Sequence, residues 1–473
     1  MKTKIVATIG PSSDNFDTLS EMAAQGMDVC RLNFSHGSHE VHLKVIEYID
    51  QINKIQNNYV AVLADLQGPK IRLGALENEN VQLKEGDHIR LVTYEVAGNR
   101  ERISIRYEAF ATDVKAGDQV LIDDGKIALR VIETNGKDEV LLKAETNAVV
   151  EARKGVNLPD TSISLPSLTK KDLDDLDFLL QQDIQWIALS FVRSADDIHA
   201  LRSIIEANQK ANKPGIIAKI EKPQAVANIE AIVDAADGIM IARGDLGVEI
   251  PMEQVPMIQK RIIQLCQQKG KPVIVATQMM EAMISSIRPT RAEVSDVANS
   301  VLDGADALML SGETSMGKYP VETIRIMQQI INQIEGYEAI YYRHEMPEDP
   351  THPRFISDSV LFAASNMAQS TNASAIIIST HTGYSATRLA AHRPKARLFA
   401  FSGNVFVLRK MNLLWGVYGF HDSSLDEAGK LMDHLNQLLI EGGQLRKGDR
   451  VIHVLSTPTW SKGHSNTIRL GNL

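Results

Sequence analysis

Nine polar residues stand at the ends of otherwise apolar runs: Arg31 and Asn33 in "DVCRLN", Asp65 in "YVAVLAD", Lys219 and Glu221 in "GIIAKIE", Arg243 and Asp245 in "GIMIARGD", Thr277 in "PVIVATQ" and Ser311 in "ALMLSGE". A Lys or Glu taken out of water is costly unless it is paired, so these residue types are a poor choice for packing alone. Glu221 and Asp245 lie on consecutive runs, and two carboxylates completed by water and substrate oxygens are a usual way to hold Mg²⁺, with Mn²⁺ an acceptable substitute. Arg31, Lys219 and, a little past Asp65, Arg72 add positive charge around them. Carboxylates for a divalent metal beside cations for phosphate describe phosphoryl transfer. Each residue also has a plainer reading. A strand-end acid often caps the next helix, Ser311 could satisfy a backbone group, and Thr277 could be a β-branched strand residue. It is the pairing of "KIE" with "RGD" on neighbouring runs that favours the metal.

Such residues converge only if the runs are arranged to bring their ends together. Eight short apolar runs recur, from "KIVATI" to "ALMLSGE", and seven of them lead directly into segments with helical periodicity, such as 169–183, with Thr169 as N-cap, and 253–269. Uniformly apolar strands alternating with helices make a parallel sheet buried on both faces, and eight units suggest a closed (β/α)₈ barrel whose strand ends share one pocket. The exception follows the third run. Residues 70–167 show strand alternation in "HIRLVTYEV", "QVLIDDGKIALRVI" and "EVLLKAET", with turns at "EGD", "DDG" and "NGK" and no convincing helix. The expected architecture is therefore α/β: a TIM barrel at 1–69 and 168–340, an inserted β-barrel lid at 70–167, and, beyond the linker "YYRHEMPEDPTHPRF", a C-terminal α/β domain at 341–473 with an open sheet.

Composition narrows the partners. A formal charge of −9 over 473 residues gives no footprint for nucleic acid, and no apolar run approaches the roughly 18 residues of a membrane span. The start, "MKTKIVATIG", has no signal-peptide pattern, and two cysteines, Cys30 and Cys266, make no disulfide framework, so a reducing cytoplasm and small-molecule partners are expected. "GETSMGKY" has the spacing of a phosphate loop, but Tyr319 replaces the hydroxyl that would bind Mg²⁺, so it reads as a turn.

The segments "RLNFSHG", "DLQGPKIR", "IAKIEKPQAVANI", "IMIARGDLGVEIP", "VIVATQMMEAM" and "PTRAEVSDVANSVLDGADALMLSGET", with the three-domain layout, resemble the pyruvate kinase family along the whole chain. The resemblance implies phosphoryl transfer from phosphoenolpyruvate to ADP, giving pyruvate and ATP, the last step of glycolysis, in a homotetramer. Carried over by motif, Arg31 and Lys219 hold the transferring group, and Lys219 also steadies the enolate. Glu221 and Asp245 ligate Mg²⁺. Ala242, Arg243, Gly244 and Asp245, through their amides, and Thr277 take the substrate carboxylate, with Ser311 near the water that protonates the enolate. Asn33, Ser35, His36, Arg72 and Lys171 lie along the nucleotide phosphates, although His36 could be a cap and Arg72 and Lys171 solvated charges.

Asp65, Asn33 and Ser35 resemble the family's side-chain ligands for K⁺. Potassium-requiring members read Gly-Pro-Glu-Ile-Arg after Thr-Lys, whereas here the turn is Leu66-Gln67-Gly68-Pro69-Lys70-Ile71-Arg72, as in the potassium-independent subgroup. Lys70 in place of an acid changes the local charge by two units, and an ammonium paired with Asp65 would stand in for the ion, so K⁺ is not expected to be required.

In the third domain, "STHTGYSATR" places Ser379, Thr380, Thr382 and Ser385 around Gly383 just before a helix, and "SKGHSNT" adds a second hydroxyl-rich loop. Helix N-termini attract phosphate, and family members bind phosphorylated activators in this region, so a sugar phosphate or nucleotide effector is expected; an ordinary N-cap is the alternative. Two rival functions share part of this pattern. A Mg²⁺-dependent lyase acting on pyruvate enolates would need no nucleotide, and a non-catalytic sensor of phosphometabolites would not need the filled strand ends.

Overall fold

The computed structural model describes residues 1–343, 346–422, 431–456 and 464–473. The eight apolar runs become the strands Lys4–Thr8, Val29–Asn33, Ala61–Asp65, Trp186–Leu189, Gly215–Ile220, Gly238–Ala242, Val273–Ala276 and Ala307–Leu310, which close into a parallel barrel with the eighth paired to the first. Nearly every residue in these strands is buried, because helices cover the outer face and side chains fill the interior. Val6, Val29, Leu63, Ala188, Ile217 and Met309 belong to the interior cluster. Side chains alternate along a strand, so Thr8, Arg31, Asp65, Ser190, Lys219 and Ser311, each two residues further on, also face inward, in the layer at the C-terminal mouth.

The helices begin and end where local chemistry permits. Thr169 caps Lys170–Leu179 in a capping box with Asp172, and Thr290 does the same with Glu293 for Arg291–Asp303. The first of these stops short of the expected 183. Gly270, at φ 65°, ends Val255–Lys269 in the left-handed conformation a side chain resists.

The inserted segment leaves the barrel beyond Asp65 and returns before Lys170. Its strand pairing gives a six-stranded sheet and a two-stranded sheet wrapped over one core containing Leu73, Phe110, Val120 and Leu142. It contains one feature that periodicity did not suggest, the single helical turn Phe110–Asp113, whose Phe110 is fully buried. Four residues are too few to show a helical period.

The C-terminal domain has a five-stranded sheet in the order Val417–His421, Arg397–Ser402, Ala375–Ser379, Arg450–Leu455, Thr467–Asn472, parallel except for its last strand. It closes the N-terminal end of the barrel. Leu413 belongs to the barrel's interior cluster, Lys2 Nζ donates to the carbonyls of Pro394 and Ala396, and Arg393 bonds Asp306 at 2.7 Å. No described helix is long and apolar enough to cross a membrane.

Candidate active site

At the C-terminal mouth the inward-facing residues form one network. Asp65 Oδ2 accepts from Arg31 Nε at 2.8 Å, and Asp65 Oδ1 lies 3.2 Å from Lys219 Nζ. Lys219 also meets Glu221 Oε1 at 2.9 Å and donates to Ser190 Oγ at 2.7 Å, and Arg31 reaches Thr8 Oγ1 at 2.7 Å. The remaining oxygen of Glu221 accepts from the Phe191 amide at 2.7 Å, and Phe191 takes φ 54° to present it. Burial works against every charge here. On Asp65 the Lys219 ammonium and the Arg31 guanidinium outweigh burial and hold the carboxyl below its ordinary range. On Lys219 the carboxylates of Asp65 and Glu221 overcome burial and push the ammonium up, so it stays protonated. Glu221 goes the other way: burial and the nearby Asp245 outweigh Lys219 and raise its pKa. A carboxylate in that condition is stabilised by an added cation.

The second wall comes from the next two strands. Asp245 lies in the first turn of the helix Arg243–Glu249, half-buried at the cleft. The Gly244 amide donates to Thr277 Oγ1 at 2.7 Å, and a Cβ on Gly244 would lie 3.2 Å from that oxygen, so glycine allows the close approach. Thr277 and Gln278 take φ 72° and 54°, a conformation costly for a β-branched residue and often found at functional sites. Arg243 is committed elsewhere: its guanidinium grips both oxygens of Asp296 at 2.6 Å and the Thr277 carbonyl at 2.9 Å. Glu313, buried at 2 %, accepts from the Ser311 amide at 2.7 Å and the Met280 amide at 3.0 Å, tying the last two strand ends together.

The Lys70 pairing expected from the sequence does not form. Asp65 is taken by Arg31 and Lys219, whereas Lys70 is exposed beyond the Gly68 turn and lines the cleft that also contains Asp245, Asn157 and Lys222. The expected nucleotide residues are spread along the rim. Asn33 Oδ1 accepts from the Ser35 amide at 3.1 Å, His36 is exposed in the same loop, and Arg72 donates to the Arg153 carbonyl at 3.2 Å. Lys171 does not lie free along this rim. It donates to the Phe34 carbonyl at 2.7 Å and to Asp175 at 2.6 Å, bracing the loop that carries Ser35 and His36.

Comparison with known proteins settles the family. A model described as "Pyruvate kinase, barrel domain" matches residues 1–324, and one described as "Pyruvate kinase, alpha/beta domain" matches 358–470. A pyruvate kinase of Geobacillus stearothermophilus is 41% identical over 99% of this chain and 80% of its own length. One of Corynebacterium efficiens is 40% identical over 99% and 97%. The chain belongs to the pyruvate kinase family. A crystal structure of a pyruvate kinase from Cryptosporidium parvum superposes with a TM-score of 0.93 at 36% identity, covering all of this chain and 96% of the other.

Two further groups of residues in this pyruvate kinase family member can now be placed. In the C-terminal domain Gly383, at φ 86°, precedes the helix Tyr384–Ala391, and its amide donates to Thr380 Oγ1 at 3.0 Å. Ser385 Oγ lies 2.8 Å from Ser465 Oγ and is buried, Ser379 is half-buried, and Thr382 is exposed. Thr380 and Ser385 are thus already engaged within the protein. Residues 461–463 of the second hydroxyl-rich loop lie outside the described residues. Thr8, Ser190 and Glu313 belong to the active-site scaffold without having been singled out by sequence. All three lie at the ends of the apolar runs themselves, the position that Lys219 shares, but Thr8 and Ser190 lack the charge that drew attention to it.

Proposed function

We propose that the protein transfers a phosphoryl group from phosphoenolpyruvate to ADP, giving pyruvate and ATP, and that it does so with Mg²⁺ held by Glu221 and Asp245. The observation that carries this reading is the charge balance at the mouth. Two cations, Arg31 and Lys219, stand among three carboxylates, Asp65, Glu221 and Asp245, leaving one net negative charge where an anionic substrate must bind. A divalent ion reverses that sign. Two carboxylates with room for substrate oxygens suit Mg²⁺, which keeps several non-protein ligands. When bound, the ion supplies charge neutralisation across the substrate oxygens.

The chain's own groups divide the remaining work. Arg31 and Lys219 hold the phosphoryl oxygens, and Thr277 with the Gly244 amide orients the substrate carboxylate. Lys219 keeps its charge, because two carboxylates hold its proton, and that charge stabilises the enolate oxygen as the phosphoryl group leaves. The nucleotide lies along Asn33, Ser35, His36 and Arg72, with Lys171 bracing their loop. Independence from K⁺ is part of the proposal. Its support is that two side chains neutralise Asp65, that Asn33 Oδ1 is turned onto the Ser35 amide, and that the Lys70 ammonium lines the cleft. Activation by a sugar phosphate or nucleotide at the Thr382–Gly383 turn is the remaining part.

One assay tests all of it. Pyruvate formation from phosphoenolpyruvate should require ADP and Mg²⁺, persist when Na⁺ replaces K⁺ at constant ionic strength, and rise with a sugar phosphate or AMP. Pyruvate formed without ADP would overturn phosphoryl transfer to nucleotide. Strong K⁺ stimulation would overturn the role of Lys70.

A further inference from the structure

A buried carboxylate lies beneath the lid's return strand. Glu249 ends the helix on which Asp245 sits and is 4 % exposed; its Oε1 receives the Lys222 ammonium and, at 2.7 Å, the side-chain amide of Asn157. Its Oε2 is buried without a hydrogen-bond partner among the described residues. Asn157 belongs to the lid, in the short strand Val156–Asn157 that pairs with Gln119–Ile122, and its neighbour Val156 donates to Ile71 on the outgoing connection. Lys222 directly follows Glu221, and its Nζ lies 5.8 Å from the ring centre of Phe191, whose amide holds Glu221. In the turn that follows the paired strand, a Cβ on Gly125 would lie 3.5 Å from Val248, on the same helix as Asp245 and Glu249. The lid therefore touches the elements that carry both metal-ligand candidates.

We propose that Asn157, Glu249 and Lys222 form a latch that holds the lid down over the catalytic mouth, with Asn157 and Glu249 as positioning residues; this rests on the phosphoryl-transfer reading above. An amide bonded to a buried charged oxygen is worth more than one bonded to water, so the contact favours the shut lid. The unpartnered Oε2 works the other way. Lifting the lid admits water to it, which keeps the latch releasable, as a lid that must open for product requires. Because Glu249 and Asp245 share one helix of under two turns, the latch also ties lid position to the spacing of Asp245 from Glu221.

The test uses the full chain with two substitutions. Asn157→Ala removes the amide, and Asn157→Asp sets a second carboxylate against Glu249. Cys30 and Cys266 are both buried, so a spin label on a cysteine introduced at exposed Lys137 of the lid and another at exposed Glu253 of the barrel report lid position. Asn157→Ala should move the open-to-shut ratio about tenfold toward open and raise KM for phosphoenolpyruvate and ADP by up to a similar factor, with kcat nearly retained because bound substrate still closes the lid. Asn157→Asp should open it further than Asn157→Ala does, because two carboxylates then face each other across the latch. Unchanged distances and KM in both variants, or a fall in kcat alone, would overturn the latch. A wild-type protein that makes no pyruvate from phosphoenolpyruvate and ADP would overturn the phosphoryl-transfer reading instead, and the label distances would still decide the latch.

Discussion

The two ends of this barrel bury charge in opposite ways. At the C-terminal mouth Lys219 meets two carboxylates and a hydroxyl, and its ammonium is pushed up. At the N-terminal end Lys2 is just as buried, but its Nζ donates to the neutral carbonyls of Pro394 and Ala396 and lies 4.9 Å from the Trp415 ring, and burial pushes its pKa down to about 7 against a weaker pull from Glu335. Burial alone therefore does not decide which lysine is the candidate for catalysis. What favours Lys219 as the candidate is that its surroundings lock the charge in place and that its partner network reaches the cleft through Glu221 and Phe191, whereas the C-terminal domain covers Lys2. The same contrast holds for the acids. Asp306 is sealed between Arg393 and the Val273 amide, while Asp245 stands at the cleft.

The largest expected effect separates the two lysines. Lys219→Met should lower kcat by about 10³-fold or more, the scale of losing one aligned electrostatic partner of a transition state. Lys2→Met should leave kcat within about twofold, since it touches no reacting atom. Steady-state assays on proteins matched by circular dichroism decide this, and equal losses would erase the distinction between the ends. At the sealed end the effect falls on stability. Arg393→Met strands Asp306 and should cost about 3–5 kcal/mol, seen as a lower urea midpoint by tryptophan fluorescence with kcat unchanged.

His453, on the strand Arg450–Leu455 between Ala375–Ser379 and Thr467–Asn472 of the C-terminal sheet, carries the pH dependence. Burial, helped by Arg469, lowers its pKa to about 4. The unfolded histidine takes a proton below about 6.5, whereas the folded one resists until about 4. Stability is therefore whole above the first value and declines as pH falls toward the second, by about 3 kcal/mol in all. His453→Phe should flatten that slope in urea titrations across the window. The smallest effect returns to the mouth. Ser190→Ala removes one of three acceptors from Lys219 and should lower kcat by about three- to tenfold, with KM for Mg²⁺ unmoved.

The barrel was legible because its signal is repetitive: eight apolar runs, each ending in polar residues, leave few alternatives to a closed parallel sheet. The site was legible where a charged residue interrupts such a run. Ser190 and Thr8 escaped notice for want of charge, although strand alternation places them in the same layer as Arg31 and Lys219. The Lys70–Asp65 pairing failed for a geometric reason. Five residues apart in sequence, they are separated by the turn at Gly68, and the inward side chain of Asp65 meets partners from other strands first. Lys171 is expected along the nucleotide phosphates, with a solvated helix-start charge as the alternative; its i,i+4 bond to Asp175 fits the alternative, but its contact with the Phe34 carbonyl spans 137 positions and leaves no local trace. The helical turn at Phe110 was too short to show a period.

Barrel closure also sets a schedule for synthesis. The strand Lys4–Thr8 pairs on one side with Val29–Asn33 and on the other with Ala307–Leu310, in a register that joins Lys4 to Ala307. On a ribosome adding about 5–20 residues per second, one edge of that apolar strand waits roughly 15–60 s for its partner. The lid, whose hairpins join near neighbours in sequence, can fold within that interval. The nascent chain thus carries a finished lid beside an open barrel edge, and a strand edge left bare that long invites pairing with another chain. That gap between synthesis and closure is the point at which this chain is most exposed to aggregation and most in need of a chaperone.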